Sequence, residues 1–520
     1  MTPPPTDAES PLPHGLGRRD LLKGAALGLG MLGVTGGASE ASGATSDTQP
    51  TLNAIQKENA ITGTTAWLLT KTHIDPDTRY RSPRIEGYCS ATSVRPGEPL
   101  SIMVSTNPPA PFTVEIFRMG FYGGKGGRHM TSLGEFSGET QPDPDVGDMR
   151  LRDCAWEPST TLTIPEDWVS GVYVGKLTEQ KDGLQSYVIF IVRDDRRADF
   201  MFQCSDTTWN AYNRWPDQFA LYDDGNSEWY LGAGTATSFN RPYGKYCQVV
   251  DTPLSIGSGE FMLWEFPMVY WLEQEGYDVT YASNLDTHAD GPGLRRVKGF
   301  LSLGHDEYWT RTMYDNVMAA INDGMSAGFF SGDTCWGMID LLSDSNGHTH
   351  RHITRVDHFG PIDEVLCEKY PAVATLPHKG PDQALMIGGR DIYPVSGGAD
   401  WTCSAEDHWI FDGTGMKNGD AIPGLVGFEW HGAPADIPGL RVVATGTAST
   451  GSAEGTYAAT VYPGKKGNIV FNAATIWWAD GLAEPPGYIR PATYTEPQGP
   501  DPRAQQITRN VLDRMRHHDA

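Results

Sequence analysis

The sequence predicts an α+β multidomain protein, in which an N-terminal Ig-like β-sandwich precedes an α/β open-sheet domain. Three observations predict it. Short β-branched and aromatic runs fill the region before residue 195, a strand–loop–helix rhythm follows it, and 60 Gly with 37 Pro in 520 residues supply turns for both.

Taken in order, residues 1–44 carry "GRRDLLKGAALGLGMLGVTGGASEASGA". Here a twin arginine, Arg18 and Arg19, precedes a short Gly-rich apolar run and a small-residue end near Ala44. This pattern resembles a Tat export signal, and the apolar run is short for a membrane span. The expectation is a protein exported to the periplasm or beyond, with no integral span after cleavage. Residues 45–82 are polar and contain Pro and Thr, which predicts a linker and extended lead-in. Residues 83–195 hold "LSIMVS", "FTVEIF", "GVYVGKL" and "SYVIFIV" between Pro, Gly and Asp turns, the spacing of a β-sandwich. "RMGFYGGKGGR" lacks phosphate-loop spacing and reads as a glycine-rich turn between strands. The charged run "RDDRRAD" then marks a boundary.

Residues 196–485 change rhythm. "DFMFQC" and "DVTYAS" read as strands around the helical "EFMLWEFPMVYWLEQEG", which ends at Gly276. In "TRTMYDNVMAAINDG", Met313, Val317, Ala320 and Ile321 recur at helical spacing, with Thr310 as N-cap and Gly324 as the stop. "SAGFF" returns as a strand, which completes a βαβ unit with adjacent parallel strands. Residues 486–520 are expected to be a tail with a short helix.

The formal net charge of -25 opposes nucleic acid and anionic membranes as partners, so a neutral or cationic ligand fits better. The seven cysteines show neither zinc spacing nor the density of a disulfide scaffold. Cys89 and Cys154 share the sandwich region and are the expected pair if export brings oxidation.

The chemistry gathers at strand ends. "FLSLGHDEYW" sets Phe300, Leu301 and Leu303 against His305, Asp306, Glu307 and Tyr308. Ligands of open α/β sheets bind beyond the carboxyl ends of strands, where this stretch and "GDTCWG" both fall. Extended geometry would place His305 and Glu307 on one side, Asp306 and Tyr308 on the other. The bland alternative is a Glu capping the next helix and a His satisfied by backbone. "DTCWG" half-resembles a nucleophile elbow, which gives a cysteine hydrolase of glutamine-amidotransferase architecture with Cys335 as nucleophile and His305 as base. Asp333 beside it would raise the thiol's pKa. "HTHRH" places His348, His350 and His352 at period two, either a divalent-metal face or a solvated loop.

Seven segments in order, "RMGFYGGKGGR", "DTTWNAYNRWP", "NRPYG", "LSLGHDEYWT", "FFSGDTCWG", "DHWIFDGTGM" and "GLVGFEWHG", resemble the large (beta) subunit family of N,N-dimethylformamidase and its C-terminal catalytic domain. That resemblance implies amide hydrolysis at a mononuclear Fe(III) held by two tyrosinates and a glutamate. On this chain the glutamate is Glu307, the tyrosines Tyr212 and Tyr243, and the supporting histidine His305. An asparagine of the enzyme falls on Asp333, a departure that adds a carboxylate, and a further supporting glutamate falls on Glu429. The resemblance also implies a small neutral amide-like substrate and admits a small partner subunit or a homo-oligomer. The non-enzymatic alternative is an exported envelope or carbohydrate-binding protein with the same fold.

Overall fold

The computed structural model describes residues 51–518, apart from 76, 78–79, 228, 245–255, 363 and 491–498. The export segment at residues 1–44 and Cys247 therefore lie outside the described residues. Strands Glu86–Cys89, Pro99–Ser105 and Thr160–Thr163 pair antiparallel as one sheet. Ser93–Val94, Gln185–Val192, Gly171–Glu179, Phe112–Met119 and Gly127–Phe136 form a second, five-stranded sheet. The two sheets enclose a shared core through Ile102, Val104, Val114, Ile116, Tyr173 and Phe190. "RMGFYGGKGGR" turns between the last two strands of the second sheet.

The largest sheet orders Val279–Ser283, Ala198–Cys204, Val297–His305, Ser326–Gly332 and Ile469–Asn472 side by side, all parallel. It continues as an antiparallel half through Glu454–Pro463, Arg441–Ser449, Gly397–Thr402 and Ala421–Phe428. The molecule is thus mixed α+β, with parallel strands where the βαβ pattern predicts them. A third sheet pairs Ala236–Ser238, His352–His358, Gly337–Leu342 and Tyr308–Trp309.

Local chemistry explains the crossover helix Arg311–Asn322. The Thr310 hydroxyl accepts the Met313 N–H at 3.1 Å, and Met313, Val317, Ala320 and Ile321 are buried against the sheet. Two segments differ from expectation. The lead-in forms helix Ala54–Asn59, capped by Asn53, and buries Trp67. The expected tail forms helix Pro502–Arg516, whose Ala504, Ile507, Val511, Leu512 and Met515 belong to the main core. Apolar residues at helical spacing outweigh that segment's polar composition. Cys89 and Cys154 stay free thiols, each buried in a different apolar cluster.

The described residues from Leu52 onward form one compact unit. The outer face of the five-stranded sheet supplies Phe117, Val172, Val174, Ile189 and Ile191 to the same core as Phe200, Phe202 and Trp271 of the parallel region. The run "RDDRRAD" is pinned across this junction, with Arg193 on Asp286 at 2.9 Å and Arg196 on Asp278 at 2.7 Å. Beneath it Arg118 donates to both oxygens of Glu273, at 2.8 and 3.1 Å, and both side chains are fully buried. Tyr281 and Asn59 donate to the same carboxylate. Removing one partner of a buried pair strands the other charge. Glu273→Gln is therefore expected to cost about 3–5 kcal/mol in urea unfolding; a loss below about 1 kcal/mol would show that the pair does not bind the two regions together.

Candidate metal centre

The strand Val297–His305 ends in a deliberate kink. Gly304 sits at φ +58°, and a Cβ there would meet the Trp264 Cβ at 2.6 Å, so only glycine fits. Asp306 then anchors the chain, accepting from Gln203 at 2.7 Å, Ser302 at 2.8 Å and Asn284 at 3.0 Å. The Thr208 hydroxyl accepts the backbone N–H groups of both Glu307 and Tyr308. This leaves His305 and Glu307 on one side, with His305 Nε2 3.2 Å from a Glu307 oxygen. The alternation stops there. Tyr308 begins a strand of the third sheet and returns to the same site.

Around Glu307 the hydroxyls form a directed relay. Arg355 donates to Tyr308 at 2.6 Å, Tyr308 to Tyr222 at 2.6 Å, Tyr222 to Tyr212, and Tyr212 to Glu307 at 2.5 Å. Tyr222 also lies 3.1 Å from the other Glu307 oxygen. Arg355 is fully buried and is held by the carbonyls of Leu221, Tyr230 and Gly232. Burial, with Glu307 next to it, pushes Tyr212 and Tyr222 well above the usual phenol range.

Opposite the relay is a surplus of acid. His305 Nε2 lies 3.1 Å from Glu429 and 3.9 Å from Asp333, and Nδ1 lies 3.6 Å from Glu260. These distances allow charge pairing, yet none has hydrogen-bond geometry, so both imidazole nitrogens are orphaned. Asp333 Oδ1, Asp391 Oδ1, Glu429 Oε2 and both Glu260 oxygens are buried without a hydrogen-bond partner as well. Burial alone would lower His305, but Asp333, Glu260, Glu307 and Glu429 outweigh it and hold the imidazolium well above its usual range. Burial, then neighbouring carboxylates, raise Asp333 and Asp391 well above theirs, and burial raises Glu429. Asp333 itself has φ +51°, a strained conformation for a residue with a side chain. Tyr212, Tyr222, Glu307, Asp333, Asp391 and Glu429 all line one cavity of about 410 Å³.

The structure brings Tyr212, Glu307, His305, Asp333 and Glu429, residues to which the resemblance points, to one place, while Tyr243 does not line the main cavity. Tyr243 packs on Trp209, with ring centroids 6.3 Å apart, and lines two small cavities, one of them shared with Tyr212 and Glu260, but not the main cavity. The second tyrosine of the cluster is Tyr222, only ten positions beyond Tyr212. Its stretch "FALYDD" contains no motif, and nothing in the sequence signals it. Arg355 and Asp391 were equally silent.

Cys335 does not support a nucleophile. Its side chain is fully buried in an apolar cluster with Phe300 and Trp309, outside the cavity lining, and burial, then Asp306, push the thiol well above its usual range. The "HTHRH" histidines also diverge. His348 is exposed beside Asp344, His350 meets His288, and His352 is buried 3.1 Å from Asp153.

His431, within "GFEWHG", holds the Asp333 loop. Its Nε2 accepts the Thr334 N–H at 3.0 Å and its Nδ1 meets Asn472 at 2.8 Å. Burial lowers its pKa to about 4. The neutral ring is thus favoured in the fold, so stability is full above the unfolded value of about 6.5 and drains as pH falls towards 4. Between pH 7 and 5 this one residue is expected to cost about 2 kcal/mol, visible as a steeper pH dependence of urea unfolding than in His431→Gln. Equal slopes in the two proteins would contradict it.

The comparisons complete the picture. No curated protein matches this chain. The family described as N,N-dimethylformamidase beta subunit-like, C-terminal, matches residues 113–493, which include every residue of the relay and of the acid cluster. The match begins inside the five-stranded sheet, consistent with the core and the Arg118–Glu273 pair shared across the junction. The chain belongs to the N,N-dimethylformamidase beta subunit-like family.

Proposed function

We propose that this protein is an exported, iron-dependent hydrolase of amide C–N bonds, built on an Ig-like sandwich and a sheet of the glutamine-amidotransferase kind. One observation carries the reading: oxygens of Tyr212, Tyr222 and Glu307 converge in a buried cavity beside acids without partners. The donor set suits a hard trivalent cation. Two phenolates and a carboxylate match its charge, and buried carboxylate oxygens without hydrogen-bond partners suit a neighbouring cation. Ferric ion held there would supply Lewis acidity towards a carbonyl and lower the pKa of water.

The chain's own groups support that chemistry. Donation from Arg355 through Tyr308 would support a Tyr222 phenolate once a cation displaces its proton, against the upward push of burial and Glu307. His305, among four carboxylates, stays charged and can pass a proton to a neighbouring oxygen. Asp333, Asp391 and Glu429 cannot all ionise so close together, so one retains a proton at neutral pH. Amide hydrolysis needs that proton on the departing nitrogen as the C–N bond breaks and water oxygen bonds to carbon.

The substrate we infer is a neutral amide larger than dimethylformamide. The cavity of about 410 Å³ falls within the roughly 300–1,000 Å³ range of small-molecule sites. Trp229, Trp336, Tyr370 and Tyr393 add aromatic walls, which suit an apolar substituent. The family description names a beta subunit, and we propose a small partner subunit on that ground. Among the described residues no helix is long and apolar enough to cross a membrane.

Metal analysis with an absorption spectrum tests the centre. Iron-supplied protein is expected to carry one iron per chain and a broad visible band from phenolate-to-iron charge transfer. Tyr222→Phe should shift or abolish the band, Glu307→Gln should lose iron, and Tyr243→Phe should leave both unchanged. His305→Ala should keep the colour while amide turnover falls about 100-fold or more. Colourless protein with substoichiometric iron would overturn the proposal. Export is tested separately, since replacing Arg18 and Arg19 with Lys should trap the precursor in the cytoplasm, and unimpaired export would remove the Tat reading.

A further inference from the structure

We propose that Asp357, His358 and His378 form a second metal site, which takes a divalent transition ion of the zinc class and fastens the 371–380 loop to the strand His352–His358. One ligand atom from each of the three residues lies within 4.8 Å of the other two. The set is two imidazole nitrogens and a carboxylate oxygen, a donor combination that zinc accepts, with a fourth position left for water.

Each member is prepared for the role. His358 is fully buried at the end of its strand, and its Nδ1 lies 3.2 Å from the Phe359 carbonyl. A proton on Nδ1 donated to that carbonyl leaves the Nε2 lone pair free, which is how ligating histidines are usually oriented. Nε2 faces Nδ1 of His378 directly. Two ring nitrogens facing one another need either a shared proton or a cation between them. His378 holds this position at φ +57°, a conformation that costs energy in a residue with a Cβ. Asp357 orients the loop, accepting the backbone N–H groups of His378 at 2.7 Å and Lys379 at 2.8 Å. Each of its oxygens keeps a second lone pair.

The site is separate from the Tyr–Glu cluster, but it backs the same cavity. The Trp336 ring stacks on His358 at 6.2 Å, and Trp336 lines the main cavity. Lys369 and Tyr370, also in that lining, lead directly into the loop carrying His378. An ion at this position would therefore brace one wall of the substrate cavity without touching the reacting groups.

Zinc counting tests this apart from activity. The purified full-length protein is dialysed against zinc chloride, its zinc and iron are measured by mass spectrometry, and its thermal midpoint is recorded with and without zinc. His378→Ala should hold one zinc per chain fewer than the wild type, with iron content unchanged, and its midpoint should no longer rise with zinc. Because the read is a difference of one zinc, it stands even if zinc also enters the Tyr–Glu cluster. His378 is exposed, so the variant should fold, and His378→Gln serves as a second variant that keeps polar character. Equal zinc in wild type and variants would overturn the proposal, as would a wild type that takes up none, and the trio would then be a proton-sharing histidine pair beside a loop-capping aspartate.

Discussion

The relay from Arg355 through Tyr308, Tyr222 and Tyr212 to Glu307 sets the terms for everything around it. A buried guanidinium has no acceptor to spare, so it dictates the direction of every O–H that follows. Three hydroxyls that could rotate freely elsewhere are aligned here, and all deliver towards one carboxylate. In a low-dielectric interior such a chain is strong only if every member is satisfied. Three backbone carbonyls hold one end through Arg355 Nη1, although its Nε has no hydrogen-bond partner. The other end opens onto orphaned acids, and that asymmetry is the reason to place a cation there.

The fold makes this arrangement possible by putting strand ends from different elements at one place. His305 and Asp333 follow neighbouring parallel strands, and Glu429 follows the antiparallel strand Ala421–Phe428. Tyr222 and Arg355 arrive from the third sheet and its loops. The sandwich contributes no side chain to the acid cluster. Its part is to bury the opposite side of the parallel region, with Arg118 and Glu273 fixing the junction. The strain at Asp333 and the kink at Gly304 are tolerable because the sheet beneath them is so heavily over-determined.

Legibility in the sequence followed the range of the interaction. The βαβ unit, its Thr310 cap and the pair His305–Glu307 are local, and periodicity with strand-end logic reaches them. Glu429 and Asp333 were reachable through contiguous motifs. Tyr222, Arg355 and Asp391 come from irregular or distant segments, and their only signal is three-dimensional. Tyr243 belongs to the motif "NRPYG", yet its ring packs on Trp209 and does not line the main cavity, which no local pattern reveals. Tyr308 misled because alternation was carried past the end of one strand into a strand of another sheet. The C-terminal helix was underrated because its polar face hid five core residues at helical spacing.

Charge bookkeeping gives Asp333 its meaning. If Glu307 and the two phenolates match a trivalent ion, Glu260, Asp333, Asp391 and Glu429 remain against the single positive charge of His305. Of these, Asp333, Asp391 and Glu429 cannot all ionise so close together, so the cluster keeps a proton that an asparagine at position 333 would not hold. Asparagine could still accept and donate hydrogen bonds, but it could neither take up nor release a proton. Under the proposed hydrolase reading, Asp333 supplies an acid able to protonate a departing amine, and activity should depend on pH through the cluster as a whole rather than through His305 alone. The carboxyl at position 333 is thus what lets the cluster take up and release a proton as a unit, since burial and the neighbouring carboxylates hold it well above its usual range.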